Sequence, residues 1–345
     1  MLSYRSRRAL RRLGKFLLIL VMMAAVGILI WFLWLNRCVI YTRDGVKFVF
    51  GNSGEFLPGQ VAGTGSVENT IVIDYEQTVP TEPPSTEMKQ MSGYYISPDQ
   101  LKGDLTGLKN QISELPKGTP ILLDVKNIRG EFFYSSYKAT LFSSAVSQAS
   151  MDDLIAFLRD GGYYIIARLP AFRDWEFGRT HVSCGLLDIN KIQQVALWLD
   201  RSDGTAAYWL NPDEAGTVEY LVGIVTELRT WGFDEVLFYD FRFPDTDQIY
   251  YTGDKAASLA ACAQTLVTSC SSETFAVSFV SSDPSFPLPE GRSRLFMENV
   301  PAENVLLMAE QAVMTDPEIR LVFFANTNDT RYDEYGVLRP LDMAR

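Results

Sequence analysis

The sequence predicts an α/β protein built as a (β/α)8 barrel, the TIM-barrel fold, over residues 91–345. Two observations support this prediction. Short, nearly continuous apolar runs alternate with amphipathic helical patterns, as expected for parallel strands that are covered by helices. Seven or eight such units fit into about 250 residues, the usual size of this barrel. No Gly-rich phosphate loop follows any apolar run, so a doubly wound nucleotide-binding sheet lacks support.

The candidate strands are short and rich in β-branched and aromatic residues. They are GYYIS (93–97), PILLDVK (120–126), YYIIARL (163–169), EVLFYDFRF (235–243), FAVSFV (275–280), RLFMENV (294–300) and RLVFFAN (320–326). Helical patterns lie between them near 98–115, 151–160, 217–231, 254–270 and 301–315. The last 20 residues have too little apolar periodicity to predict a full strand and helix. A barrel that is incomplete at its C-terminus is therefore compatible with the sequence.

The N-terminal segment has a different composition. Residues 1–15 form a basic tip with six Lys or Arg and no acid, and residues 16–35 carry no charge. About 20 apolar residues suffice to cross a bilayer core. The basic tip predicts a single-pass helix at 16–35 with its N-terminus in the cytoplasm. A cleaved signal peptide is the alternative, but its apolar region is shorter and ends in small residues, whereas this run ends with Trp31 and Trp34.

Residues 36–90 separate the predicted anchor from the barrel. Two apolar runs around Arg43, Asp44 and Gly45 predict a small hairpin. The residues after it are polar and rich in Pro, Thr and Glu, and such a segment buries too little apolar surface to order itself. The segment is therefore interpreted as a disordered stalk that carries the barrel outside the cell membrane.

Charge and composition exclude several classes of function. The formal net charge is −11, and without the six cationic residues of the basic tip the remaining chain carries −17. This acidic exterior argues against nucleic-acid binding and against docking on anionic lipid headgroups. The one histidine, His181, cannot make a metal site alone, so no metal and no cofactor is predicted. Whether Cys262 and Cys270 pair is left open, and buried or free thiols are favoured.

Ionisable residues stand at the ends of several predicted strands, where a barrel builds its active site. They are Asp124, Lys126, Arg168, Asp174, Asp240, Arg242 and Glu298. An isolated charge in a barrel mouth is costly, so these groups should pair with one another or meet a polar ligand. Two carboxylates across a cleft can hydrolyse a glycosidic bond. Aromatic residues nearby, including Trp209 and Tyr239, could stack on sugar rings.

Structural roles for the same residues remain open. Asp124 and Lys126 lie two apart on one strand face and could form an ion pair without function. Arg168 could bridge neighbouring strands, and Asp174 could cap the loop that follows its strand. Trp209 could belong to the core.

Several blocks of the sequence resemble a known family. They are SGYYIS, ILLDVKNIRGEFFYSS, YYIIARLPAFRD, YWLNPDEAGTVEYLVGIVTEL and GFDEVLFYDFRFP. In order and spacing they resemble the glycoside-hydrolase barrel domain of bacterial, often Gram-positive, envelope proteins. The activity of that family is inferred from its similarity to α-amylase-like barrels. The resemblance covers about residues 91–245 and implies a TIM barrel, hydrolysis of O-glycosyl bonds and a glycan partner.

The fourth predicted strand departs from the family pattern. The family usually has Glu-Ile-Gln-Phe-Asp-Tyr-Val-Arg-Phe-Pro, whereas positions 235–244 have Glu-Val-Leu-Phe-Tyr-Asp-Phe-Arg-Phe-Pro. Tyr239 therefore stands where the family has its aspartate, and the acid has moved by one residue to Asp240. Because successive strand residues face opposite sides, either a bulge re-aims Asp240 into the mouth or the catalytic acid is lost. The shift slightly favours the second possibility.

These observations predict a membrane-anchored, extracytoplasmic glycoside hydrolase-like domain that acts on cell-envelope or environmental polysaccharide. Asp240 is expected to be the nucleophile or base, and Glu298 or Asp174 the acid. The expected substrate-binding residues are Asp124, Lys126, Arg168, Trp209, Tyr239 and Arg242. The alternative is a catalytically degenerate barrel that binds glycan or an envelope protein. A purely structural envelope protein would explain the anchor and stalk but not the charged strand ends.

Overall fold

The computed structural model describes residues 39–42, 45–48, 87–103 and 105–344. Its main feature is a closed barrel of eight parallel strands, each paired with the next in the chain. The strands are β1 (Ser92–Ile96), β2 (Pro120–Asp124), β3 (Tyr164–Pro170), β4 (Glu235–Tyr239), β5 (Ala276–Val280), β6 (Leu295–Met297), β7 (Leu321–Phe324) and β8 (Gly336–Pro340). The predicted (β/α)8 barrel is confirmed.

The barrel is complete at its C-terminus, although the sequence had left an incomplete barrel open. β8 pairs with β7 on one side and with β1 on the other, and the pairing with β1 closes the barrel. Only Val337 and Leu338 give this strand an apolar signal, and Pro340 ends it. Two apolar residues are too few for a periodicity analysis to detect a strand. β8 is held in a strand conformation by its pairing with β7 and β1.

Helices of unequal length surround the barrel. They are α1 (Leu105–Ser113), α2 (Gln148–Gly161), α3 (Trp175–Thr180), α4 (Ala215–Trp231), α5 (Lys255–Cys270), α6 (Val305–Gln311) and α7 (Pro317–Arg320). The predicted segments correspond to α1, α2, α4, α5 and α6. Between β7 and β8 the chain forms a 3₁₀ turn (Thr330–Glu334), and a second one (Leu341–Met343) follows β8.

Local sequence signals mark the ends of the longer helices. Ser147 caps the start of α2, where its side chain accepts a hydrogen bond from the Ser150 amide. Gly162 ends α2 with a φ of 73°, and Gly232 ends α4 with a φ of 91°. Glycine adopts this left-handed conformation without the steric penalty of a Cβ atom. The helix end that the sequence places just before the third strand is therefore confirmed.

Alternation along the strands separates two apolar layers. The barrel interior is filled by Leu122, Ile166, Leu237, Phe296, Val322 and Leu338, with Met91 beneath them. Neighbouring positions such as Leu123, Ala167 and Phe238 point outward into the larger core between strands and helices. On four of these strands, the side chain two positions after the interior residue faces the same side. These four residues are Asp124, Arg168, Tyr239 and Glu298. The same alternation therefore carries these side chains to the C-terminal mouth.

The N-terminal end of the barrel is closed by a buried polar network. Arg294 and Glu235 form an ion pair with an Nη1–Oε2 distance of 2.5 Å, and both side chains are almost fully buried. The hydroxyls of Tyr164 and Ser278 donate to the same Glu235 carboxylate. Every oxygen of this carboxylate has a partner, as a buried charge requires.

The described part of residues 39–48 contains two short strands, Val39–Thr42 and Gly45–Phe48, which pair antiparallel. Within the described parts of the chain, no helix is both long and apolar enough to span a bilayer. The predicted anchor at 16–35 and the basic tip at 1–15 lie outside the described residues, as does most of the predicted stalk.

The three cysteines in the described barrel are buried free thiols: Cys184, Cys262 and Cys270. Cys262 and Cys270 therefore do not pair in this structure. Burial raises the pKa of the Cys262 thiol to about 12 and that of Cys270 to about 11. Both thiols are thus protonated and unreactive at neutral pH.

Candidate active site

Arg168 joins the charged groups of the barrel mouth. From β3 its guanidinium reaches Asp124 at the end of β2, with 3.4 Å between Nη1 and Oδ1. Its Nη2 donates to Glu298 Oε1 at 2.6 Å. The guanidinium carbon lies 4.7 Å from the centre of the Tyr239 ring. Two of the acids that the sequence places at strand ends, Asp124 and Glu298, therefore meet at the Arg168 guanidinium.

Asp124 lies deep in this cluster, with 6% of its surface exposed. Burial raises the pKa of its carboxyl to about 6, the negative charge of Glu298 adds to this, and Arg168 opposes it. The alternative pairing of Asp124 with Lys126, which the sequence left open, does not occur in this structure. Asp124 pairs with Arg168 instead.

Tyr239 occupies the inward-facing position at the end of β4, where the family has its aspartate. Its ring lies against Arg168. Burial raises the pKa of its phenol above the usual range, and the charge of Asp124 adds to this. The side chain is therefore a neutral aromatic surface at the base of the mouth.

Asp240 follows Tyr239 with a left-handed backbone, at a φ of 49°. Aspartate adopts this conformation more readily than most L-residues do. The chain therefore turns at Asp240 itself, and both Tyr239 and Asp240 line the same cavity. Tyr239 and Asp240 therefore both line the mouth, although they are successive residues of the chain.

Two arginines flank Asp240. Arg242 Nη2 lies 3.7 Å from its Oδ1, and Arg173 Nη1 lies 4.0 Å from its Oδ2. Burial nevertheless raises the pKa of the Asp240 carboxyl, because the lowering effect of Arg242 and Arg173 is smaller than the desolvation cost.

The mouth contains two adjoining cavities. The larger has a volume of about 450 Å³ and is lined by residues 239–242 on one side, by residues 281–283 after β5, and by Glu298 and Asn299. The smaller, of about 210 Å³, is lined by Asp124, Arg168 and the ends of β1 and β7. Glu298 and Asn299 line both cavities. Asp240 and Glu298 are thus two carboxylates on the wall of one cavity that is large enough for a small ligand.

Asp174 and Lys126 do not reach the mouth. Each side chain is 1% exposed, and 2.6 Å separates Lys126 Nζ from Asp174 Oδ2. Asp174 also caps α3 by accepting from the Phe177 amide at 2.9 Å, and the Tyr220 hydroxyl donates to it at 2.9 Å. The structure therefore gives both residues structural partners and brings neither to a cavity of the mouth.

Trp209 is also buried, with 1% of its surface exposed. Its Nε1 donates to Asp200 Oδ2 at 2.8 Å, and the Arg242 guanidinium lies 5.0 Å from its ring centre. Arg242, whose side chain is half exposed, lines the larger cavity, whereas Trp209 does not. A sugar could therefore contact Arg242 but not the face of Trp209 that Arg242 covers.

Sequence reasoning did not assign a site role to three residues that the structure places here. Asp283 follows β5 and lines the larger cavity, and the strand-end rule could have found it. Asn299 lines both cavities with a left-handed backbone, at a φ of 58°, which no sequence signal announces. Arg173 lies behind Asp240. Among the described residues, no group of three or more His, Cys, Asp or Glu side chains could hold a metal ion.

A comparison with protein families finds a match within the barrel. Residues 114–279 match the model of a family described as "putative glycosyl hydrolase domain". The resemblance found in the sequence is therefore confirmed over these residues, and the closed barrel of eight parallel strands is the TIM-barrel fold that the resemblance implies. None of the curated proteins matches the chain.

A search of solved structures also finds similar chains. The galactosidase domain of the alpha-galactosidase-sucrose kinase AgaSK is 12% identical with a TM-score of 0.50, covering 73% of this chain and 38% of that one. The GH36 alpha-galactosidase AgaA of Geobacillus stearothermophilus is 10% identical with a TM-score of 0.49, covering 75% and 41%. A hypothetical protein from Ruminiclostridium thermocellum is 18% identical with a TM-score of 0.45, covering 54% and 96%. This chain spans less than half the length of both galactosidase structures, and the likeness to the AgaSK domain shows the barrel fold alone.

Proposed function

We propose that this chain is a membrane-anchored glycoside hydrolase that cleaves a polysaccharide outside the cytoplasmic membrane. The observation that carries the proposal is the larger cavity, whose lining includes both Asp240 and Glu298. Paired carboxylates on either side of a sugar-sized cleft are the usual equipment for cleaving a glycosidic bond. The position of this cavity at the C-terminal end of the strands agrees with where TIM-barrel enzymes carry their chemistry.

The surroundings of the two carboxylates support a separate role for each. Burial raises the pKa of Asp240, which favours the protonated form that a general acid needs. Glu298 is paired with Arg168 at 2.6 Å and is the carboxylate that attacks the anomeric carbon or activates a water to do so. The leaving oxygen takes the proton of Asp240 as the glycosidic bond breaks. This assignment reverses the roles expected from the sequence, where Asp240 was the nucleophile or base.

A barrel that binds glycan without cleaving it is the second candidate. The observation that favours it is Tyr239, an aromatic ring in the position where the family has an aspartate. Sugar rings pack well against such a face. In that case Tyr239→Ala would weaken glycan binding, and no substitution would affect turnover because none would occur.

A panel of polysaccharides separates the two candidates. The purified full-length chain in detergent is incubated with each, and new reducing ends and binding are measured together. Release of reducing ends by the wild type, absent in an Asp240→Asn, Glu298→Gln double variant, supports hydrolysis. Binding without release on every polysaccharide of the panel supports the second candidate. Glu310→Gln, an exposed change on α6, is the matched control.

We expect the mouth to discriminate between glycans by charge. In the described structure its two cavities are lined by four acids, Asp124, Asp240, Asp283 and Glu298, against Arg168 and Arg242. With Asp240 protonated as the proposed acid, the remaining excess of one negative charge repels a uronic-acid polymer more than a neutral or amino-sugar polymer. Calorimetry at low salt should show several-fold weaker binding of the uronic-acid polymer, and Asp283→Asn or added salt should narrow the difference. Tighter binding of the uronic-acid polymer would contradict the expected selectivity.

We propose that residues 36–345 lie outside the cytoplasmic membrane. The six cationic residues before the uncharged span 16–35 support this orientation. Protease added to intact protoplasts should cut within the Pro-, Thr- and Glu-rich stalk and release the barrel, while a cytoplasmic marker protein stays whole. A stalk that resists the protease until the membrane is permeabilised would reverse the orientation.

A further inference from the structure

Arg173 lies in the loop after β3, and 7% of its surface is exposed. Its Nη1 donates to Asp203 Oδ2 at 2.7 Å and lies 4.0 Å from Asp240 Oδ2. Its Nε lies 3.4 Å from Asp200 Oδ2. One guanidinium nitrogen therefore faces two carboxylates, and its hydrogen bond goes to Asp203.

Asp200 and Asp203 belong to a small hairpin, residues 199–208, whose two short strands pair antiparallel. Asp200 accepts a hydrogen bond from Trp209 Nε1 at 2.8 Å. Within the turn, Asp203 accepts from the Thr205 amide at 3.0 Å. The position of Asp203 is thus fixed by the hairpin itself and does not depend on Asp240.

We propose that Arg173 and Asp203 form a positioning pair that sets the charge of Asp240, with Asp203 holding the guanidinium nitrogen that Asp240 would otherwise engage. This inference rests on the proposed function only for its consequence in catalysis. Arg173 lines neither cavity of the mouth, so it acts through Asp240 and does not touch the substrate.

The groups that face Asp240 come from five segments, which include the loop of Arg173 and the hairpin of Asp203. Arg242 stands on its own segment at 3.7 Å, Glu298 follows β6, and Asp283 after β5 lines the same cavity. Burial is the largest cause of the raised pKa of Asp240. Arg242 and Arg173 lower this pKa, while Asp203 and Glu298 raise it. Among these groups, Arg173 and Asp203 are the two that hydrogen-bond to each other and shift the pKa of Asp240 in opposite directions.

The pair therefore predicts opposite effects for two substitutions. Arg173→Gln removes a positive charge beside Asp240 and should raise its pKa further. Asp203→Asn removes a negative charge and also frees Nη1 to approach Asp240, so it should lower that pKa. A role of Arg173 that was only structural would not give shifts of opposite sign.

The test is a pH titration of the full-length chain in detergent, with ¹³C-carboxyl-labelled aspartate followed by NMR. The Asp240 signal is assigned by its absence in Asp240→Asn. We expect its midpoint to move up in Arg173→Gln, down in Asp203→Asn and not at all in Glu310→Gln. Arg173→Lys keeps the charge without the second nitrogen and should fall between the wild type and Arg173→Gln. The limb of the pH–activity profile that reports the acid should move in the same directions.

Arg173→Gln removes the cation beside the buried Asp200 carboxylate, so it can fail to fold. In that event Arg173→Lys and Asp203→Asn still test the inference. Asp203→Asn should fold, because the Asp203 side chain is half exposed. A midpoint that stays or rises in Asp203→Asn overturns the inference. The titration needs no turnover: opposite shifts in a protein that hydrolyses nothing would refute the proposed function and leave the pair intact. Hydrolysis by a protein whose Asp240 midpoint does not move in these variants would support the proposed function and refute the positioning pair.

Discussion

Asp240→Asn should lower kcat on a polysaccharide by about 10²–10⁴, the usual contribution of a general acid. Asparagine has nearly the same shape but no proton to give to the leaving oxygen. Affinity for the glycan should change little, because the substitution keeps the size and polarity of the cavity wall. The loss should be much smaller on an aryl glycoside with an acidic phenol, whose leaving group needs no protonation. Steady-state kinetics on both substrates measures the difference.

Glu298→Gln provides the contrast, because a carboxylate that attacks or activates water is needed whatever the leaving group. Its activity should be lost on both substrates. Glu310→Gln should behave as the wild type, and circular dichroism checks that each variant is folded. Equal losses on the two substrates in Asp240→Asn would show that Asp240 is not the acid.

Lys126→Met should lower the free energy of unfolding by about 3–5 kcal/mol, the usual cost of breaking a buried ion pair by removing one partner. The Lys126 and Asp174 side chains are both 1% exposed, so the Asp174 carboxylate would be left buried without its cation. Denaturant unfolding of the purified chain, followed by tryptophan fluorescence, measures the change.

A double variant, Lys126→Met with Asp174→Asn, tests the cause of that loss. The asparagine removes the unpaired charge but keeps an oxygen that can accept from the Phe177 amide. We expect it to recover much of the stability lost in Lys126→Met. Folded protein of either variant should retain the hydrolysis rate of the wild type. A stable Lys126→Met protein without activity would instead place Lys126 in the active site.

Much of the fold could be predicted because the signal is local. The apolar strands and the glycines after α2 and α4 act within a few residues of themselves, so pattern alone locates them. Among the strands of the barrel, β8 is the one that the apolar pattern does not locate. Its run of Val337 and Leu338 is too short to register, and β1 and β7 order it through pairing that no local pattern reveals.

In the candidate site, too, the residues at strand ends could be predicted from the sequence and those in loops could not. Asp124, Arg168 and Glu298 could be predicted because strand alternation carries them to the mouth. Asp174 and Trp209 stand in loops, and whether a loop side chain faces the mouth depends on contacts with distant segments. For Asp174 the deciding partners are Lys126 and the hydroxyl of Tyr220 in α4.

Asp240 shows the limit most clearly. Strand alternation alone would turn its carboxylate away from Tyr239 and out of the mouth. The left-handed backbone at this one residue, at a φ of 49°, returns it to the cavity wall. Sequence identifies aspartate as a residue that tolerates such a backbone, but it does not say where the chain will use it.

A crystal structure of the Glu298→Gln variant with a bound oligosaccharide tests the proposed active site most directly. The oligosaccharide is taken from whichever polysaccharide the wild type cleaves or binds. We expect a glycosidic oxygen within hydrogen-bonding distance of Asp240, in the larger cavity, with the anomeric carbon facing residue 298. A glycan seated only on the Tyr239 ring, with no glycosidic bond between residues 240 and 298, would contradict the assignment.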